Sequence, residues 1–165
     1  MKLSFAIATV ADAADLARLA TLTDRHLQAK HGRGAAKCEV TEKTVLAGLK
    51  HSRILVARLP GEIIAMLRLS AKRPWAIDPA YFTPVAIPLY LTNMAVAPAW
   101  QRQGIGRQIL DEACLRAAKW PANAIRLDAY DNETGAGGFY TKCGWRAVGR
   151  VTYRRTPLIF FEYVL

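Results

Sequence analysis

The stretch LTNMAVAPAWQRQGIGRQ, residues 91–108, decides the fold of this chain. An alternating apolar run, typical of a β-strand, passes through a glycine-containing turn directly into a helical pattern. The first N–H groups of a helix lack internal partners, and the helix dipole adds partial positive charge there. Gly104 and Gly106 keep the backbone open, while Arg102 and Arg107 add full charges. The stretch predicts a pyrophosphate site, although tight packing alone would also account for its glycines.

Two common phosphate-binding loops do not fit this stretch. A dinucleotide fingerprint requires a third glycine three positions after Gly106, where the chain has Ile109. A Walker loop requires a lysine followed by serine or threonine after its last glycine, and the chain contains no such loop. The anion site is therefore predicted to belong to another class of protein.

Strand and helix signals flank the stretch on both sides. A helix capped by Asp12 is predicted to end at Gly32 and Gly34, and Thr41 is predicted to cap a second helix. Pro60-Gly61 suits the centre of a type II turn. The remaining predicted helices are Gln103–Lys119 and Ala136–Lys142. The predicted strands are Leu3–Ala8, Arg53–Leu59, Glu62–Ser70, Leu89–Val96, Asn123–Tyr130, Trp145–Tyr153 and Leu158–Val164.

The predicted order of elements is β-α-α-β-β-β-α-β-α-β-β. It indicates one α/β (α+β) domain over residues 1–165, with a twisted, mixed and mostly antiparallel sheet of about seven strands and about four helices. The stretch 71–88 breaks the pattern with prolines and aromatic residues. A long irregular connection is expected there, and such connections often carry function.

Composition narrows the classes of function. Hydrophobic residues make up 52% and charged residues 22% of the 165 residues, which is typical of a globular protein. The net charge of +10 is spread along the chain without a run of five cations, so we expect a basic surface and no nucleic-acid partner. The three cysteines show no metal-ligand spacing, so reduced thiols and no metal are expected.

The N-terminal MKLSFAIATVADAA superficially resembles a signal peptide, but Ser4 and Thr9 interrupt its short apolar run. A first strand fits it better. No apolar run approaches the ~20 residues that span a membrane. We therefore expect a cytoplasmic protein without a membrane partner.

Two motifs together resemble a known family. QRQGIG, residues 101–106, fits the Q/R-x-x-G-x-G/A signature of the GNAT N-acetyltransferases, and NMAVAP before it is similar to the family's fourth strand. About 30 residues later, the blocks 128–133 and 138–145 are similar to the family's N…A…FYxKxGF motif. The resemblance covers nearly the whole chain and is weakest at residues 28–52 and 71–88.

The resemblance implies an N-acetyltransferase that transfers an acetyl group from acetyl-CoA to a primary amine within a ternary complex. The acceptor would be a small molecule or a peptide, and a homodimer is compatible with the family. Backbone groups of Met94 and Val96 would pair with the pantetheine arm, and Asn132 would hydrogen-bond to it. The pyrophosphate would lie on the segment made of Gln101, Arg102, Gln103, Gly104, Ile105, Gly106 and Arg107. A catalytically silent acyl-CoA sensor on the same fold is the alternative.

Tyr140 matches the tyrosine that the family places near the thioester sulfur, where it would protonate the departing thiolate. A buried aromatic residue of the core is the alternative interpretation. Trp145, where the family more often has phenylalanine, and Cys143 are expected to pack in the core. The oxyanion is expected to accept a hydrogen bond from the backbone N–H near Met94.

The general base and the acceptor stay unassigned. Many relatives carry a glutamate on the fourth strand, but LYLTNMAV contains no acid. The carboxylate candidates are Glu62, Asp78, Asp128 and Glu162, and a water chain ordered by Tyr90, Thr92 and Asn93 is the other option. The aromatic residues of 74–90 would suit an apolar or cationic acceptor, or would simply pack in the core: Trp75, Tyr81, Phe82 and Tyr90.

Overall fold

The computed structural model describes residues 2–31, 40–133 and 135–165, and the predicted mixed sheet with its order of elements is confirmed. The described helices are α1 Ala13–His31, α2 Glu42–Leu49, α3 Ile105–Lys119 and α4 Gly137–Lys142. The described strands are β1 Ser4–Ile7, β2 Arg53–Leu59, β3 Glu62–Ser70, β4 Pro88–Val96, β5 Ala124–Tyr130, β6 Arg146–Tyr153 and β7 Thr156–Val164. They form one sheet in the order β1-β2-β3-β4-β5-β7-β6.

The chain divides into two compact units. The first unit comprises Met1–Leu69 with Thr92–Ala113, and the second comprises Ser70–Leu91 with Cys114–Leu165. The expectation of a single domain stays a prediction.

In the first unit, β2 pairs antiparallel with β1 and with β3. Gly61 has a φ of 80°, which glycine tolerates and which a type II turn requires at its third residue, so the predicted hairpin is confirmed. One face of these strands packs against α1 and α2. The buried core there includes Leu16, Leu19, Ala20, Val45, Ile54, Val56, Ile63 and Met66.

The start of the first helix differs from the prediction. Thr9, in an extended conformation, precedes a 3-10 turn at Val10–Asp12 that leads into α1. The Asp12 carboxylate accepts from the Thr9 N–H at 2.8 Å, which makes Asp12 the reciprocal partner of a capping box rather than the cap. The prediction that Asp12 is the cap is therefore wrong, whereas Thr41 does cap α2. The predicted end at Gly32 and Gly34 lies outside the described residues.

Helix α3 begins at Ile105, two residues later than the predicted Gln103. Arg102 and Gly104 have φ values of 61° and 80°, and these left-handed conformations cannot belong to a right-handed helix. One face of α3 carries four buried apolar residues: Ile105, Ile109, Ala113 and Ala117.

In the second unit, β5 pairs in parallel with β4 over Pro88–Tyr90 and antiparallel with β7. β6 pairs with β7 through a turn in which Arg154 and Arg155 have φ values of 47° and 66°. Two successive positive φ values are the geometry of a type I′ turn. Five buried residues form a cluster in this unit: Ile77, Phe82, Tyr90, Leu158 and Phe160.

Within the described part of the chain, no helix is both long and apolar enough to cross a membrane.

Candidate active site

The turn between β4 and α3 is built by backbone conformation and by two glutamines. The Gln101 side chain donates to the carbonyl of Val96 at 3.0 Å, and the Gln103 side chain donates to that of Ala99 at 3.0 Å. These bonds fold the chain back on itself between the strand and the helix. Gln101 and Gln103 thus have structural partners inside the turn, in addition to any role toward a ligand.

The backbone of this turn is open to a ligand. Residues 102–104 are exposed, and a Cβ placed on Gly104 would meet only the side chain of Gln108, at 3.9 Å. The N–H of Gln108 donates to the carbonyl of Gly104 at 3.1 Å, which is the first bond of the helical ladder. The amides of Ile105 and Gly106 belong to the turn before it, where helix geometry supplies no internal acceptor. This arrangement suits an anion at the positive end of α3.

The charges of the turn are exposed. Arg107 forms a 3.9 Å ion pair with Asp111, and both side chains are more than half exposed. Surface pairs of this kind contribute about 0–1 kcal/mol, so Asp111 does little to hold Arg107 away from a stronger anion. Arg102 is also exposed. The turn therefore combines two arginines with an open helix N-terminus.

The strand leading into the turn has a local irregularity. Asn93 has a φ of 52°, a left-handed conformation inside β4. Met94 and Val96 are partly exposed, whereas Ala95 and Ala97 are buried. The carbonyl oxygen of Val96 accepts one hydrogen bond from Gln101. Its second lone pair can accept a hydrogen bond from a ligand. Met94 and Val96 thus lie on the accessible side of the strand.

In the second unit, Tyr140 lies on α4 and is only 6% exposed. Its ring packs against Trp145 and Phe161, with centroids 5.7 and 5.6 Å away. Burial, reinforced by the charges of Cys143 and Asp128, raises the pKa of Tyr140 well above its usual value. The hydroxyl therefore stays protonated at neutral pH, as a hydrogen-bond donor must. Trp145 is buried, as predicted.

Asn132 follows β5 in the second unit and is exposed. Its carbonyl accepts from the Gly135 N–H at 3.0 Å. A Cβ on Gly135 would lie 1.9 Å from the carbonyl oxygen of Tyr130, so this tight turn requires glycine. The turn fixes the backbone beside Asn132.

The four carboxylate candidates have different surroundings. Glu162 is 1% exposed and accepts from the backbone and hydroxyl of Thr83, at 3.1 and 2.6 Å, and from Arg146. Burial alone would raise the pKa of Glu162, but these hydrogen bonds outweigh it and hold the pKa below its usual range. A carboxylate so well satisfied is a poor base. Asp78 accepts from the Ala80 N–H at 2.9 Å and caps a 3-10 turn.

Glu62 and Asp128 are less constrained. Glu62 is exposed at the β2–β3 turn, where it lines an open cavity of about 280 Å³ together with Asp15 and Arg18 of α1. Asp128 is partly buried on β5. The general base stays a prediction among the four carboxylate candidates and the water chain. Among the described residues, no group of three or more His, Cys, Asp or Glu side chains is placed to hold a metal ion.

The aromatic residues of the long connection separate into two kinds. Phe82 and Tyr90 are buried, and Phe82 stacks on Phe160 with centroids 5.4 Å apart. Trp75 is 87% exposed and Tyr81 is 43% exposed. Core packing therefore accounts for Phe82 and Tyr90, whereas Trp75 is accessible to solvent.

One further residue, Arg68 on β3, is not predicted from the sequence because no motif contains it.

Comparisons with known proteins agree with this geometry. Residues 50–147 match the family model of the acetyltransferase (GNAT) domain. No curated protein matches the chain.

Solved structures of similar fold cover almost the whole chain. A PaiA N-acetyltransferase from Thermoplasma acidophilum, in complex with coenzyme A, superposes with a TM-score of 0.75 at 16% identity over 99% of this chain and 100% of that one. A ribosomal-protein-alanine N-acetyltransferase from Brucella melitensis gives 0.73 at 17% identity over 98% and 99% of the two chains. A GNAT family acetyltransferase from Elizabethkingia anophelis with acetyl-CoA bound gives 0.65 at 20% identity over 99% and 98%.

At these identities the solved structures establish the fold, while the domain model, which spans more than half of the sequence, establishes the family. The strand, turn and helix of residues 88–119 lie inside the matched range. The chain belongs to the GNAT acetyltransferase family.

Proposed function

We propose that this chain is an N-acetyltransferase that transfers the acetyl group of acetyl-CoA directly to a primary amine. The observation that carries the proposal is the exposed turn between β4 and α3, with its left-handed Arg102 and Gly104 and the helix N-terminus behind them. It supplies donors and positive charge for a pyrophosphate. Structures of the same fold with bound coenzyme A or acetyl-CoA support this assignment.

Residues of the first unit are assigned to the donor substrate. Amides of the Gln101–Arg107 segment bind the pyrophosphate, and backbone groups of Met94 and Val96 pair with the pantetheine arm. The Met94 N–H donates to the oxyanion as the amine nitrogen bonds to the thioester carbon. The positive φ of Asn93 changes the direction of the backbone directly before Met94, which supports the assignment of the Met94 N–H to the oxyanion.

Residues of the second unit are assigned to the arm and to the leaving group. Asn132 hydrogen-bonds to the pantetheine arm. When the carbon–sulfur bond breaks, Tyr140 donates its proton to the thiolate, and the amine loses its own proton to a base or to water. Burial raises the pKa of the phenol, so Tyr140 is protonated at neutral pH and cannot act as the base, while the raised pKa also makes it a weaker acid. The role as donor therefore rests on its place in the motif. The acceptor is a small-molecule or peptide amine.

Ligand binding tests the donor site first. Acetyl-CoA at millimolar concentration should raise the melting temperature, because a ligand of the folded state stabilises it. Gly104→Val should abolish this shift, since a β-branched residue is strained at a φ of 80° and covers the turn. Gly61→Val is the matched control, because Gly61 has the same φ of 80° and a Cβ there meets nothing within 4 Å. No shift for the wild type would refute the proposal.

Turnover tests the chemistry. Thiol release from acetyl-CoA with a panel of amines should be observed for the wild type, and Tyr140→Phe should lower kcat by about 10²–10⁴-fold with little change in the KM for acetyl-CoA. Tyr163→Phe, an exposed tyrosine on β7, is the control. Cofactor binding without turnover on any amine would instead favour the acyl-CoA sensor.

A further inference from the structure

Arg68 on β3 is a partly buried cation. Its Nε donates to the Thr92 hydroxyl at 2.9 Å. Over residues 2–31, 40–133 and 135–165, it forms no ion pair with a carboxylate. Burial lowers the pKa of Arg68, because its partly buried surroundings disfavour the charged form. A partly buried charge is stabilised by a partner, and Arg68 has one hydroxyl among the described residues, so its position on β3 calls for a reason.

Packing around Arg68 does not provide that reason. Its neighbour across the β2–β3 ladder is Ile54, an apolar residue. A Cβ built on Gly48 would lie 3.3 Å from Nη1 of Arg68, so the guanidinium lies against the last turn of α2. The carbonyl of Gly48 already accepts from the Ser52 hydroxyl at 2.6 Å and the His51 N–H at 3.1 Å. Arg68 is therefore not needed to cap this helix.

The geometry of Arg68 suits a planar anion. The bond from Nε to Thr92 fixes the plane of the guanidinium and leaves the two Nη groups as a fork. Such a fork binds a carboxylate through two parallel hydrogen bonds. Thr92 directly precedes Asn93 and lies two residues before Met94 on β4. The fork thus stands beside the strand to which the proposed reaction is assigned.

The local sequence charge favours an anion as well. Between Glu42 and Glu62 the chain carries no acidic residue and four basic ones, Lys43, Lys50, Arg53 and Arg58, of which Arg58 is paired with Asp12 at 2.8 Å. Positive potential of this kind attracts anionic ligands and disfavours cationic ones.

We propose that Arg68 binds a carboxylate of the acceptor, so that the acceptor is an amine that also carries a carboxylate. This inference rests on the proposed acetyl transfer. Thr92 acts as a positioning residue that orients the guanidinium. The carboxylate belongs to a free amino acid or to an acidic peptide, and the two sources share the same chemistry.

Binding tests the inference without turnover. N-acetyl amino acids and their C-terminal amides, which differ by one charge, are titrated calorimetrically into the protein saturated with coenzyme A. The wild type should bind the carboxylates at least about tenfold more tightly than the amides, and Arg68→Gln should lose this preference. Arg68→Lys, which keeps the charge but not the fork, should retain part of it. Equal binding of both series, or an unchanged preference in Arg68→Gln, would overturn the inference.

Kinetics identifies the source of the carboxylate. Each amino acid is compared with its amide as acceptor, and a peptide with aspartate after its N-terminal residue is compared with its asparagine counterpart. Arg68→Gln should lower kcat/KM for the carboxylate member of the preferred pair by about 10- to 100-fold and leave the KM for acetyl-CoA unchanged. Thr92→Val should give a smaller loss in the same direction.

Arg25→Gln, which removes the same charge from an exposed position on α1, is the matched control and should behave like the wild type. An equal fall for charged and uncharged acceptors in Arg68→Gln would overturn the inference by showing a structural role. Selective carboxylate binding without acetyl transfer would support the inference and refute the proposed function.

Discussion

Two arginines, one in each unit, have different partners, and neither forms an ion pair with a carboxylate over residues 2–31, 40–133 and 135–165. Arg126 on β5 is 4% exposed, donates to the Thr83 carbonyl at 2.7 Å and lies 5.0 Å from the centre of the Phe82 ring. Its neighbour across the β5–β7 ladder is Glu162, whose carboxylate accepts from Thr83 and Arg146, and the Nε of Arg126 has no hydrogen-bond partner among the described residues. Arg68 on β3 faces Ile54 and has the Thr92 hydroxyl for a partner. Arg126 is thus deeply buried with one unsatisfied donor, whereas Arg68 is only partly buried, so the two arginines differ in depth and in accessibility to a ligand rather than in ion pairing.

The largest effect is expected from the substitution of Glu162, which accepts hydrogen bonds from Thr83 and Arg146 in the second unit. Glu162→Ala leaves the partly buried donors of Thr83 and the exposed guanidinium of Arg146 without their acceptor. We expect the free energy of unfolding to fall by about 3 kcal/mol in urea denaturation, the lower end for a broken buried pair, because Arg146 is exposed. Glu133→Ala, at an exposed position, should cost less than about 0.5 kcal/mol. Similar losses for both variants would show that the hydrogen bonds of Glu162 do not stabilise the second unit.

Acid should remove the same contribution gradually. The hydrogen bonds from Thr83 and Arg146 hold the pKa of Glu162 below its usual value, so its ionised form stabilises the fold above the unfolded pKa of about 4.3. That stability is lost as the pH falls through the folded pKa. Urea denaturation between pH 7 and 3 should show a steeper fall for the wild type than for Glu162→Gln. Parallel curves would contradict the assignment; Asp12, whose pKa is also lowered, titrates in both proteins.

A matched pair of substitutions compares the two arginines directly. Arg126→Met removes a charge-assisted hydrogen bond to Thr83 and should lower the free energy of unfolding by about 1.5 kcal/mol. Arg68→Met removes a charge that the fold penalises and should change it by less than about 0.5 kcal/mol. Chemical denaturation of both variants provides the measurement. A larger loss for Arg68→Met would show that Arg68 is the structural residue.

The smallest effect concerns an arginine constrained by the backbone alone. Arg155 has a φ of 66° in the β6–β7 turn, a position that favours glycine. Arg155→Gly should raise the free energy of unfolding by about 1 kcal/mol, because the left-handed conformation costs a residue with a Cβ about that much. Arg155→Ala retains the Cβ and should give no such gain. Equal stabilisation by both would attribute the effect to charge instead.

Local signals predicted the elements of the fold well. The bounds of β2 and β3 agree with the prediction because Pro60-Gly61 fixes the turn and apolar residues fill both strands. The sequence favours Asp12 as easily as Thr9 for the first cap, because both residue types can cap a helix. The extended backbone at Thr9, which the structure shows, identifies Thr9 as the cap. The glycine motif located the turn before α3, but the left-handed Arg102, which delays the helix, carries no sequence signal.

The environments of the arginines could not be predicted from the sequence. Arg68 and Arg126 each occupy one position in an apolar strand, and the same pattern fits a paired or an unpaired cation. Their partners are set by contacts between distant positions, such as Tyr90 with Arg126, 36 residues apart. The exclusion of Glu162 as a base likewise depends on Thr83, which no motif includes.

The bonds between Thr83 and Glu162 join positions 79 residues apart, which has a consequence for synthesis on the ribosome. The connection that follows β3 is synthesised long before Glu162, whose carboxylate anchors it. At about 5–20 residues per second, the delay is about 4 to 16 s. Throughout that interval Phe82, which packs on Phe160 in the finished fold, has no Phe160 to cover it. The nascent chain thus exposes an aromatic segment that a chaperone or an early aggregate can capture.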